Sequence, residues 1–148
     1  MDTKNRYHTN GTYLHMRLEH GVVVIVCSVL TLLHVGELNW WRFIAAFAII
    51  DVIGYVPGAV AFRRRGGGRI PPVYHYLYNT MHSYLTAALL VGAWALAING
   101  FEWAMMAFPI HLSGDRSLFG NVFKPTTLYF EPIAVSPQQG MGRAKPAA

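Results

Sequence analysis

Four long apolar runs, separated by short polar or glycine-rich stretches, dominate the chain. The first follows a polar lead-in, residues 1–11, and spans GVVVIVCSVLTLLHV up to Gly36. Its Val22–Val26 stretch is β-branched and would favour a strand in water. In lipid a lone segment must satisfy its own backbone hydrogen bonds, so a helix is expected, with Thr12 as its cap and Tyr13 as its first residue. A second helix is expected from the Trp40-Trp41 pair, an interfacial anchor, to about residue 62. Gly54, Pro57 and Gly58 predict a kink in its second half. The segment RRRGGGRIPP, residues 63–72, is the clearest loop. A third helix is expected over about 73–98, turning at Asn99-Gly100. The fourth run, about 101–120, is interrupted by Pro109 and Ser113-Gly114 and is a poor span by hydropathy alone. The expected fold is therefore all-α: an integral-membrane four-helix bundle in residues 1–124, followed by a flexible, disordered tail in 125–148.

Composition supports a membrane location. The chain has 148 residues, is 53% hydrophobic and only 13% charged, against roughly 25% charged in soluble domains. A net charge of +5 could suggest nucleic acid, but the distribution of the basic residues argues otherwise. With four spans, Lys4, Arg6, Arg17, the Arg63–Arg69 cluster, Arg116, Lys124, Arg143 and Lys145 all fall on one side, and only Arg42 falls on the other. This pattern places both termini in the cytoplasm and directs the arginine cluster at anionic headgroups rather than nucleic acid. Cys27 is the single cysteine, which excludes an intrachain disulfide and a cysteine-based zinc site.

The candidate chemistry lies in polar residues inside apolar segments, which are costly there and so mark function. His111 and Asp115, four apart, share a helix face and read either as two ligands of one metal ion or as a hydrogen bond that locks helices. At a rise of about 1.5 Å per residue, Asp51 lies about 16 Å deep, His111 about 15 Å, His82 about 13 Å, and Asn79 and Asp115 about 9 Å, all in the cytoplasmic half. His75, Asn79 and His82 form one stripe. Glu19 and His20 sit shallower, and His34 stands alone at the far end of the first helix. The candidate metal ligands are His20, Asp51, His82, His111 and Asp115. Glu19, Asn79 and Arg116 are candidate catalytic groups, Arg116 through a phosphate. This donor set suits a divalent ion, Zn or Mn, at one or two metal positions.

These residues resemble a known pattern. His20 (or Glu19), Asp51, His82-Ser83 and His111–Asp115 are similar in order to the small inner-membrane metal-dependent hydrolases related to zinc phospholipase C. Arg17-Leu18-Glu19, Asp51 with Gly54-Tyr55, Tyr78-Asn79 with His82, and His111 with Asp115-Arg116 resemble an uncharacterised bacterial four-helix membrane family over residues 15–124. In place of the hydrolases' extra His-Arg before the His-Ser pair this chain has His75 and Tyr78-Asn79. The resemblance implies a bacterial inner-membrane, metal-dependent hydrolase acting on a lipid-borne or amphiphilic phosphoester. The expected partners are the bilayer, an amphiphilic small molecule and, in one version, a second copy of the chain. The alternatives are a metal-independent isomerase or cyclase, an oxygenase, and a non-enzymatic bundle such as a small transporter or accessory subunit.

Overall fold

The computed structural model describes residues 9–131 of the chain, and all of its regular elements are helical. Helix α1 is Asn10–Leu33. Its cap is Thr9 rather than Thr12: the Thr9 hydroxyl accepts from the Thr12 N–H at 3.2 Å and Thr12 Oγ1 accepts from the Thr9 N–H at 2.8 Å, a reciprocal capping box. That moves the start three residues earlier than the expected Tyr13. Asn39, accepting from the Arg42 N–H, caps α2, Trp40–Gly54. Helix α3, Val56–Arg64, continues α2 with only Tyr55 between them, and Pro57 falls in its first turn, where no helical N–H is needed. Gly54, Pro57 and Gly58 therefore join two helices without ending the run.

The helix expected over 73–98 is two helices. Helix α4, Pro72–Met81, stops at His82, and α5, Tyr84–Ile98, starts from Ser83, whose hydroxyl accepts from the Leu85 N–H. The two axes bend by 54°. No glycine or proline marks this break; the local signal is Ser83, a residue that competes with helix continuation by capping.

The fourth segment consists of three short pieces: a 3₁₀ turn at Trp103–Met106, α6 at Ala107–Gly114, and a π turn at Asp115–Phe119 ending on Gly120. Pro109 sits in the first turn of α6 and does not break it. Among the described residues two runs, Asn10–Leu33 and Trp40–Arg64, are long and apolar enough to cross a membrane, and the bent α4–α5 pair makes a third if it counts as one span. The 101–120 segment does not pass as a span. Its low hydropathy has a physical reason: Ala104, Ala107 and Ser113 are fully buried and Phe108, His111 and Leu112 nearly so, so this segment faces protein. α1, by contrast, exposes Leu14, Leu18, Val22 and Ile25, an apolar face suited to lipid.

One core packs Ala46 and Ile50 of α2, Ala87 of α5, and Ala107, Phe108 and Leu112 of α6. In lipid, burial of apolar surface drives little association, so alanines that let backbones approach carry the packing. A second core joins Ala59, Ile70, Tyr78 and Phe130. Phe130 seats its ring against Gly58, where a Cβ would collide with it. Residues 125–131, expected at the start of a flexible tail, instead fold back onto α3 and α4. The rest of that expected tail, 132–148, and most of the lead-in, 1–8, lie outside the described residues.

Candidate metal centre

The break between α4 and α5 builds half of the site. His82 caps α4, and its Nδ1 lies 3.0 Å from the Tyr78 carbonyl. A carbonyl oxygen only accepts, so Nδ1 carries a proton and donates. The other nitrogen, Nε2, then faces two carboxylates: Asp51 Oδ1 of α2 at 3.3 Å and Asp115 Oδ2 at 3.2 Å. The Tyr78 ring stacks on the His82 imidazole, with 3.9 Å between centroids.

The other half comes from α6. His111 Nε2 lies 3.6 Å from Asp51 Oδ1 and 3.8 Å from Asp115 Oδ2, and Phe47 packs on its ring. The switch from α to π winding at Gly114–Asp115 swings Asp115 to the His82 nitrogen, in keeping with the habit of π turns to occur at functional sites.

One ligand atom from each of Asp51, His82 and His111 lies within 4.8 Å of the others, so this group can hold a metal ion. Two further observations fit that use. First, both nitrogens of His111 are buried without a hydrogen-bond partner, and His82 Nε2 is buried with the Asp51 and Asp115 carboxylates in reach. A neutral imidazole nitrogen pointing a lone pair at carboxylate oxygens is repelled unless a cation lies between them. Two ligands of one ion at about 2.0–2.2 Å in tetrahedral geometry stand about 3.4 Å apart, within the observed 3.2–3.8 Å. Secondly, among the described residues no lysine or arginine comes within ion-pair distance of Asp51 or Asp115. Two carboxylates and two neutral imidazoles sum to −2, which a divalent ion cancels. The Tyr78 carbonyl fixing the His82 tautomer is the outer support such ligands require. The site has an open edge: the His82 and His111 side chains are 5% and 3% exposed, but Asp51 is 46% exposed.

The remaining candidates are placed elsewhere. The stripe of α1 that meets the 113–120 segment is Tyr13, Arg17 and His20, bonding the Gly120 carbonyl, the Ser117 carbonyl and the Ser113 hydroxyl. His20 is therefore held by Ser113 and by stacking on Tyr84, outside the metal group. Glu19 is off that stripe and exposed, away from the cluster. Both amide functions of Asn79 are used on Lys124: Nδ2 donates to its carbonyl at 2.9 Å and Oδ1 accepts from its N–H at 2.7 Å. Arg116 donates through Nη2 to the His82 carbonyl at 3.2 Å and lies over the Tyr84 ring, 4.6 Å from its centroid. His34 stacks on Trp103, and His75 is buried edge-on to Phe130.

Three features escape the sequence reading. Ser113, fully buried, bonds the Tyr84 hydroxyl, joining α5 to α6. Tyr78 serves His82 through both its carbonyl and its ring. Lys124 lies over Tyr55, Tyr78 and Phe130 and donates to the Phe130 carbonyl at 2.7 Å. Burial lowers the Lys124 pKa below its ordinary value, with the nearby Glu131 opposing. Those rings come from separate segments, so no local pattern could have signalled the cage.

No protein-family model matches the chain, and no significant match is found among curated proteins or solved structures.

Proposed function

We propose that the chain is an integral-membrane, metal-dependent hydrolase of lipid-borne or amphiphilic phosphoesters, with Zn or Mn bound by Asp51, His82 and His111 and with Asp115 beside them. The observation that carries this reading is the pair of buried, otherwise unpartnered imidazole nitrogens converging with two carboxylates at a site open on one edge. Three protein ligands with an accessible position are the mark of a catalytic site, whereas structural zinc sites are closed.

A divalent ion there supplies Lewis acidity, polarising a phosphoryl oxygen and activating a water. The chain's own residues do the rest. Tyr78 and Phe47 hold the two imidazoles in place. The Asp115 carboxylate takes the proton of the attacking water as the new P–O bond forms and the ester P–O bond breaks, and the leaving alkoxide is protonated from solvent at the open Asp51 edge. Arg116 keeps N–H groups beyond the one given to His82, which can meet phosphoryl oxygens. Exposed apolar faces on α1 and α2 suit an amphiphilic substrate arriving through the bilayer. The arginine distribution supports cytoplasmic termini in a bacterial inner membrane, with the 101–120 segment as a protein-embedded fourth crossing. The motif order, which resembles that of the zinc phospholipase C-related hydrolases, is in keeping with the same chemistry.

The test is hydrolysis of a short-chain phospholipid by detergent-purified protein. A chelator should abolish activity and added Zn or Mn should restore it. Asp115→Asn should lower kcat by about 100-fold or more. Activity unaffected by chelation would contradict the proposal.

A second reading has one observation in its favour. Distances of 3.2 and 3.3 Å also suit a doubly protonated His82 donating from Nε2. The cluster would then be an ion-pair seam tying α2, α4 and α6 in a non-enzymatic bundle. That protein would be metal-free and would lose its fold when the seam is cut.

A further inference from the structure

The last turn of α3 and the loop after it carry Arg63, Arg64, Arg65 and Arg69 within seven positions, and no acidic residue occurs between Asp51 and Glu102. Among the described residues none of these four arginines pairs with a carboxylate. The chain turns back on Gly66 and Gly67, at φ 63° and 82°, conformations that a side chain would resist. The Gly67 N–H returns to the Phe62 carbonyl at 3.0 Å, and Arg65 Nη1 bonds the Arg69 carbonyl at 3.2 Å.

Beside this turn, between α3 and the start of α4, lies an open pocket of about 230 Å³. It is lined by the apolar Pro57, Val60, Ala61 and Pro71, by Tyr74, and by Arg64 and Arg65. The pocket is lined from the last two turns of the apolar run Trp40–Arg64, and a run that crosses a bilayer ends among its headgroups. Apolar side chains beside two guanidiniums that pair with no carboxylate match a phosphate group attached to a short apolar stem. Arginine's fork binds phosphate oxygens in pairs, and the nearby polar surface of a bilayer is rich in such anions. Tyr74 is eight residues before His82, about 12 Å along α4, so the pocket is separate from the metal group.

We propose that this pocket is a binding site for the phosphodiester headgroup of an anionic membrane lipid, with Arg64 and Arg65 as its cationic jaws. The site is independent of the hydrolase reading, since it uses none of those residues.

The test uses the full chain in neutral detergent with excess chelator, which removes any metal-dependent hydrolysis of the probe, and binding is measured by calorimetry against dihexanoyl phosphatidylglycerol, dihexanoyl phosphatidylcholine and inorganic phosphate. The glycerol lipid should bind at least tenfold more tightly than either of the others. The double variant R64Q/R65Q should lose tenfold or more of that affinity, while R63Q/R69Q, which removes the same charge outside the pocket, should lose less than threefold. Equal losses in the two variants would show diffuse attraction and overturn the site. Inorganic phosphate binding as tightly as the lipid would overturn the lipid assignment, and equal binding of phosphatidylcholine would overturn the anionic one. All four arginines are exposed, and unchanged helical circular dichroism identifies folded variants.

Discussion

His82 Nε2 lies 3.2 Å from Asp115 Oδ2, across 33 residues of chain and a helix break that no proline or glycine announces. The contact depends on two irregularities, the end of α4 at His82 and the π turn at Asp115. Had α4 run straight into α5, the His82 carbonyl would be committed to a helical bond. Instead Arg116, one residue beyond Asp115, takes it.

That pairing gives the first prediction. Arg116→Ala should remove the partner of a carbonyl freed by the break, together with the stacking on Tyr84. A hydrogen bond from a charged donor contributes about 1.5–3 kcal/mol, so thermal stability in detergent should fall by several degrees. Arg116→Lys, which keeps the charge but not the planar fork, should recover only part of it. A stability unchanged by both would show that the break holds itself.

Gly54 gives the second. A Cβ there would sit 2.7 Å from Met81 Cβ and 3.2 Å from the His82 ring. Gly54→Ala must therefore push α2 away from α4 and move His82 relative to Asp51. Metal affinity, read by competition with a fluorescent chelator, should drop by about 10–100-fold, the range seen when ligand orientation is disturbed. Gly114→Ala is the matched control: its Cβ would meet nothing within 4 Å, and the site should keep its metal and gain slightly in stability.

The third concerns the folded-back segment. Asn79→Ala removes both clasps on Lys124, and Lys124→Ala empties the aromatic cage. Each should release residues 125–131 from α3 and α4, seen as faster proteolysis near Phe130 and a loss of about 1–3 kcal/mol of stability. If Asn79 were instead a catalytic group, its alanine variant would lose activity with the segment still protected.

Much of the site was legible because depth along a span can be counted. Asp51, His82, His111 and Asp115 fall between about 9 and 16 Å deep, in one half of the bilayer, at about 1.5 Å per residue, and the structure brings these four side chains together. Azimuth was less accessible. Glu19 and His20, already shallower by count, were candidates from the first helix, but α1 meets the 113–120 segment through Tyr13, Arg17 and His20, which leaves Glu19 outside and His20 on Ser113. Asn79 shares a stripe with His82 in sequence, yet its amide matches the backbone at Lys124, a pairing that only the fold-back reveals. The poor hydropathy of the 101–120 segment matches its structure: its helices are too short to cross a membrane, and its middle, from Ala104 to Ser117, packs against protein.

The most direct measurement is metal content by plasma mass spectrometry of detergent-purified protein, with wild type beside His111→Ala and Asp51→Asn. The account predicts close to one Zn or Mn per wild-type chain and less than a tenth of that in either variant, all three keeping their helical spectrum. A folded wild type that carries no metal, even after incubation with excess Zn or Mn, would contradict it.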